Sequence, residues 1–171
     1  MISKGLFTSN KLDWETPSWL FELLDDHFNF ECDVCADDRN YLVKNYFTKE
    51  NSCLNKEWYN MNFMNPPYGR KLPPFVEKAY NESKDYGPLS KMTVALLPAR
   101  TDTKWFHDYI YNKAEIIFIK GRLKFGGDSK NIKGAAPFPS MIVIWFNYNF
   151  IKFKRYNLHR LEEEINSIRR K

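Results

Sequence analysis

No stretch of this chain stays apolar for the roughly 18 residues a membrane-spanning helix requires. Its opening residues, Met-Ile-Ser-Lys-Gly-Leu-Phe, carry no long apolar segment of the signal-peptide kind. Cysteine is scarce, and three is an odd number, which speaks against a disulfide framework and for a reducing compartment. Internal repeats, low-complexity tracts and an interdomain linker are all missing. Secreted, membrane-spanning and fibrous classes are set aside on these grounds. A second close pair of metal ligands is lacking too. Cys32-x-x-Cys35 with Cys53 and His27 offers half of a zinc site, but Cys32 and Cys35 fall on opposite faces of an extended segment. No metal is expected.

What remains is a globular composition. The 171 residues are 43% hydrophobic and 27% charged, enough for one domain over residues 1–171, with 150–171 as a basic C-terminal extension. Aromatic residues reach 17%, ample for a core with some left for stacking. Charge is uneven. Residues 1–38 hold two lysines and nine acids, a net of −7; the whole chain carries +5, so the remainder carries +12. A basic body suits a polyanion such as nucleic acid, while a merely solvated surface is the alternative.

The periodicity predicts alternating helices and strands. Thr16-Pro17 has the form of a helix cap followed by proline, and Leu20, Leu23, Leu24 and Phe28 continue at helical spacing, giving a helix over 17–27. Residues 28–34 alternate like a strand, and 39–58 read as irregular. Asn62-Phe63-Met64 is a strand running into the rigid turn Asn65-Pro66-Pro67-Tyr68-Gly69. A second helix starts at Pro74, a buried strand covers 93–97, and Thr101 or Asp102 caps a third helix bearing Trp105 and Phe106. Trp58 and Trp105 read as core residues. Strands follow at 115–119, 122–126 and 140–147. Leu158, Leu161, Ile165 and Ile168 then form the stripe of an amphipathic helix. This is the pattern of an α/β sheet covered by helices. Ligands bind such sheets beyond the carboxyl ends of their strands, which puts 33–37, 65–68 and 98–102 along one rim.

Asn65-Pro66-Pro67-Tyr68 has specific chemical capacity. Each proline forces the residue before it toward extended geometry and lacks an N–H. The Asn65 side-chain oxygen and the Pro66 carbonyl can converge on one planar amino group, with the Tyr68 ring nearby. The exocyclic amine of adenine is a poor nucleophile because its lone pair is delocalised into the ring. Accepting hydrogen bonds from both its hydrogens draws the nitrogen toward tetrahedral geometry, and those bonds strengthen as positive charge develops. The electrophile would be a methyl sulfonium, which leaves the protein mainly the task of alignment. Tyr68 would stack on a base flipped from the duplex. An ordinary turn is the competing reading.

The chain resembles the phage-type DNA N6-adenine methyltransferases, small relatives of the Dam methyltransferases. The resemblance runs from about Asp13 to Phe146. It rests on Trp14-Glu15-Thr16-Pro17, Phe30-Glu31-Cys32-Asp33-Val34-Cys35-Ala36, Asn65-Pro66-Pro67-Tyr68-Gly69, Leu97-Pro98-Ala99-Arg100-Thr101-Asp102-Thr103, Gly121-Arg122-Leu123-Lys124-Phe125 and Ala136-Pro137-Phe138-Pro139-Ser140. It implies an abbreviated Rossmann-like fold that uses S-adenosylmethionine, with Asn65, Pro66, Pro67 and Tyr68 as the catalytic motif. It implies a cofactor pocket that includes Trp14, Thr16, Pro17 and the segment around Asp33, to which Asp37 and Asn65 are added. A phage or prophage origin and the bacterial cytoplasm follow from the same resemblance. One departure stands out: Asp33-Val34-Cys35-Ala36-Asp37 contains no glycine where methyltransferases usually place a glycine-rich loop.

Arg100, Thr101, Arg122 and Lys124 are candidate contacts to double-stranded DNA, with generic surface cations as the alternative. The apolar stripe of the last helix could cover the sheet or pair two chains into a homodimer. Other expectations remain open: methylation of adenine in RNA or of a glutamine amide in protein, and a non-catalytic DNA-binding protein keeping the fold.

Overall fold

The computed structural model describes residues 14–84, 91–126, 135–146 and 151–168, with the side chains of the last segment from Leu158 onward. The basic residues Lys130, Lys133, Arg155 and the terminal Arg169-Arg170-Lys171, whose charge suits contact with nucleic acid, lie outside the described side chains.

Among the described residues, four α-helices and six strands follow in the order α1 (Ser18–Phe28), β1 (Cys32–Asp33), β2 (Asn45–Tyr46), β3 (Met61–Met64), α2 (Leu72–Ser83), β4 (Met92–Pro98), α3 (Lys104–Tyr109), β5 (Glu115–Phe118), β6 (Ser140–Trp145) and α4 (Ile151–Ile168). The strands form one sheet in the order β2-β1-β3-β4-β6-β5. Neighbours from β2 to β4 run parallel, and β6 is antiparallel to both β4 and β5. The mixed α/β architecture with a mostly parallel sheet agrees with the alternating pattern in the sequence.

Helices on both faces explain the near-continuous apolar strands. All of β4 and β6 is buried, because neither face meets water. Alternate side chains separate into two cores. Val94, Leu96, Ile142 and Ile144 join Leu20, Leu24, Leu161 and Ile165 under α1 and α4. Ala95, Leu97, Met141, Val143 and Trp145 join Val76, Ala79, Trp105 and Phe106 under α2 and α3. The stripe of α4 is thus used within the chain at Leu161 and Ile165, while Ile168 is exposed. His27 Nε2 lies 2.8 Å from Glu164 Oε2 and adds a polar tie between α1 and α4.

Several boundaries differ from expectation. Pro17, not Thr16, takes the N-cap position of α1, and its carbonyl accepts from the N–H groups of Leu20 and Phe21. The cap of α3 is Thr103 rather than Thr101 or Asp102, and no side chain caps it. The strand expected over 28–34 is confined to two residues, because Phe28 ends α1 and Asn29 turns the chain through a left-handed conformation, φ 54°. Residues 122–126 form no strand. Among the described residues they make one antiparallel bridge, Glu15 to Gly126, and the Leu123 carbonyl accepts from the Ala136 N–H, so the alternation seen there reflects one-sided burial of an extended segment. The segment 39–58, read as irregular, contributes the edge strand β2 and a short 3-10 turn at Cys53–Asn55.

From β1 the chain moves outward to β2 and then returns to the other side of β1 as β3. This reversal falls at the carboxyl ends of β1 and β3, where Asp33 pairs in register with Phe63 and where open sheets of this kind bind ligands in a crevice. The Asn-Pro-Pro-Tyr segment begins one residue after β3 ends.

Candidate active site

Asn62, at the root of β3, is fully buried. Its amide donates to the Tyr59 and Met92 carbonyls and accepts from the Tyr59 N–H. That anchors the strand whose far end delivers Asn65. Beyond Tyr68, Gly69 has φ 82°, a conformation that favours glycine, and the chain turns there toward α2.

The Asn65 amide nitrogen donates to two groups of the entry segment: the Trp14 carbonyl, and Thr16 Oγ1 at 3.0 Å. A carbonyl accepts only, so the nitrogen end of the amide must face it. The oxygen end is left over. Asn65 Oδ1 is buried and has no hydrogen-bond partner among the described residues. Thr93 Oγ1 and Ser140 Oγ share that condition, but they lie within strands, on hydroxyls. The Pro66 carbonyl, too, receives no hydrogen bond from the described residues. A buried acceptor without a donor normally costs about 1–3 kcal/mol, so one at a strand end calls for a ligand that donates.

Tyr68 is buried, and its hydroxyl donates to the Leu96 carbonyl at 3.1 Å. Burial holds that phenol well above its ordinary range of ionisation. Its ring meets Phe138 edge-on at 5.5 Å and Phe125 at 6.3 Å. Trp14 packs on the same two rings, each at 5.2 Å. Phe125 and Phe138 were not singled out from the sequence as site residues. Their signal was present, since each stands in a motif block that carries the family resemblance.

Asp33 ends β1 almost completely buried. Its two carboxylate oxygens accept from the N–H groups of Cys35 at 3.2 Å and Leu42 at 3.3 Å. The carboxylate therefore holds the glycine-free loop in shape. Burial pushes its pKa up to about 6, partly countered by those two N–H groups. The folded protein thus binds this proton more tightly than the unfolded chain, whose Asp titrates near 3.9. Its contribution to stability is full below about pH 4 and is lost as pH rises through about 6. We expect Asp33→Asn to remove that slope from a series of urea unfolding curves between about pH 4 and 7. Parallel pH curves for variant and wild type would contradict the assignment.

Asp37 is half-buried and opens a turn in which it accepts from the Arg39 N–H at 2.8 Å. The nearby cysteines are held as thiols. Burial, with Asp33 beside it, pushes Cys32 up to about 12, and burial with a hydrogen bond to Cys53 raises Cys35 well above its usual range. His27 is engaged with Glu164 on α4 instead of joining them.

Of the expected DNA contacts, Arg100 and Thr101 are exposed just past the end of β4, on the rim that carries Asn65. Arg100 Nε sits 3.3 Å from Asp102 Oδ1, an exposed pair of little energetic weight that a phosphate could replace. Arg122 and Lys124 are exposed on the segment whose alternate residues, Leu123 and Phe125, turn inward. That segment is tied to the entry residues by the Gly126 N–H to Glu15 carbonyl bond of 2.9 Å. The structure thus brings together Trp14, Thr16, Asn65 and Tyr68. Asp33 and Asp37 stand at the neighbouring strand end.

The described residues form an open α/β protein in which Asn65 Oδ1, an acceptor with no partner among them, lies at the reversal of strand order. The family described as DNA N-6-adenine-methyltransferase (Dam) matches residues 5–167. A DNA N-6-adenine-methyltransferase of Haemophilus phage HP1 is 33% identical over 172 residues, covering 96% of this chain and 97% of that protein. One from Escherichia phage T1 is 32% identical over 114 residues, covering 64% of this chain and 45% of that protein. The chain belongs to the DNA N-6-adenine-methyltransferase (Dam) family.

Proposed function

We propose that this protein is a phage- or prophage-encoded enzyme that methylates N6 of adenine in double-stranded DNA, using S-adenosylmethionine in the cytoplasm of a bacterial host. One observation carries the reading: Asn65 holds its amide nitrogen on Trp14 and Thr16 and keeps its oxygen buried and unpaired among the described residues. An N–H of the adenine amine is the donor that oxygen lacks, and the Pro66 carbonyl is the acceptor for the second hydrogen. Together they hold the amine while positive charge builds on its nitrogen. Tyr68 stacks on the flipped base, with Phe125 and Phe138 as the neighbouring wall. Arg100, Thr101, Arg122 and Lys124 contact the backbone phosphates.

The strand order, with one reversed strand next to an edge, supports a Rossmann-like methyltransferase fold. The donor set at its crevice fits S-adenosylmethionine. Trp14 and Pro17 come from the entry segment beside Asn65, Thr16 turning its hydroxyl to the Asn65 amide, and Asp37 offers a half-buried carboxylate for hydroxyl or amino groups. The cofactor supplies an already activated methyl group. Asp33 acts one step back, through the loop it fixes.

The test is methyl transfer from labelled S-adenosylmethionine to duplex DNA, RNA and bulk protein in parallel, with the product identified by mass spectrometry. N6-methyladenine in duplex DNA is the expected result. Label confined to RNA or to glutamine would keep the chemistry and replace the substrate. Absence of both transfer and cofactor binding would leave a DNA-binding protein that has kept only the fold.

A further inference from the structure

Asparagine can present either end of its amide to a ligand, because the two orientations differ by a half-turn and occupy nearly the same volume. Only one of them serves an amine. With Oδ1 outward the side chain accepts; with Nδ2 outward it sets a donor against a donor. What lies behind the amide decides between them. The Trp14 carbonyl can only accept, and Thr16 Oγ1, at 3.0 Å, accepts from the same nitrogen. Both residues are nine-tenths buried, so water is poorly placed to substitute for either group.

The entry segment is itself held from a second side. The Gly126 N–H donates to the Glu15 carbonyl, and the Trp14 ring packs against both Phe125 and Phe138. Thr16 does not cap α1, since that position belongs to Pro17. Its hydroxyl instead accepts from the Asn65 amide.

Resting on the adenine-N6 reading above, we propose that Thr16 is a positioning residue. With the Trp14 backbone carbonyl, its hydroxyl fixes the orientation of the Asn65 amide so that Oδ1, and not Nδ2, meets the substrate amine. Thr16 touches neither the reacting nitrogen nor the methyl group, and it acts through Asn65. Trp14 contributes a backbone group that no substitution removes, which makes Thr16 the half of the device open to mutation.

The experiment compares Thr16→Val, Thr16→Ser and Asn65→Ala with wild type. Valine keeps the volume and replaces the hydroxyl with a methyl; serine keeps the hydroxyl. Three quantities are measured: kcat and KM on duplex DNA, S-adenosylmethionine affinity by calorimetry, and hydrogen exchange of the Asn65 side-chain NH2 by NMR in the free protein. Thr16→Val is expected to lower kcat about tenfold, as loss of one orienting hydrogen bond implies, with cofactor affinity within about twofold and faster NH2 exchange. Thr16→Ser is expected to restore both readouts. Full activity in Thr16→Val with an inactive Asn65→Ala would overturn the proposal and leave the adenine-N6 reading standing. Cofactor affinity falling in step with activity would overturn it by making Thr16 a wall of the cofactor pocket. A serine variant as poor as the valine variant would overturn it by assigning the effect to the methyl group. An active Asn65→Ala would remove the reading on which it rests.

Discussion

Asn65→Ala is expected to lower kcat for adenine methylation by about a hundredfold to a thousandfold while S-adenosylmethionine affinity stays within about tenfold. The substitution removes the buried Oδ1, the acceptor assigned to the adenine amine, and with it the amide that Trp14 and Thr16 hold in place. In the ground state the amine is neutral, and losing one hydrogen bond to it costs little binding. As the nitrogen attacks it gains positive charge, and the missing acceptor is felt most there, so the loss appears in kcat. The fold should tolerate the change, since Asn65 lies beyond the end of β3 and is only half-buried. Steady-state kinetics on a duplex substrate with parallel calorimetry separates the two effects. Cofactor affinity lost together with turnover would make Asn65 a support of the cofactor pocket.

Trp145→Ala is the substitution with the largest expected effect on stability. The side chain is fully buried in the core under α2 and α3, and the indole N–H donates to the Tyr109 carbonyl at 2.7 Å. Truncating a large buried aromatic costs about 3–5 kcal/mol, and the Tyr109 carbonyl would lose its donor as well. Folded proteins hold about 5–15 kcal/mol in all, so this one side chain represents a large share. At roughly 2–4 °C per kcal/mol for a chain of this length, thermal unfolding should begin about 10 °C earlier or more. Trp145→Phe, which keeps most of the volume and loses the N–H, should lie well between the two. A melting temperature within about 2 °C of wild type for the alanine variant would contradict this view of the core.

What could be read from the chain alone depended on how local the cause was. The apolar runs at 92–98 and 140–145 announced buried strands because both of their faces are covered. Leu20, Leu24 and Phe28 announced α1 through simple spacing, and the two prolines after Asn65 announced a turn through their own covalent geometry. The C-terminal stripe was legible as a stripe, but its partner was not. Whether Leu161 and Ile165 meet the same chain or another is decided by α1, some 140 positions earlier. The same limit applied at the site. Thr16-Pro17 has the local form of a helix cap, and nothing nearby in sequence says that the hydroxyl will reach Asn65 instead. Residues 122–126 alternate as a strand would, yet among the described residues they join no strand, making one bridge to Glu15 and one backbone bond to Ala136. Asp33 could be suspected as an acceptor; that its carboxylate is already taken up by two backbone N–H groups of the loop could not.

The carbonyl that steadies Asn65 belongs to the main chain of Trp14, and this bears on how the site can drift over generations of mutation. Every amino acid carries that oxygen, so no codon change at position 14 can delete it. The identity of the side chain matters only through where its packing against Phe125 and Phe138 places the backbone. Selection on position 14 therefore acts on shape, whereas at position 16 it acts on the presence of a hydroxyl. A library randomised at both sites should recover several bulky residues at the first and almost exclusively serine and threonine at the second.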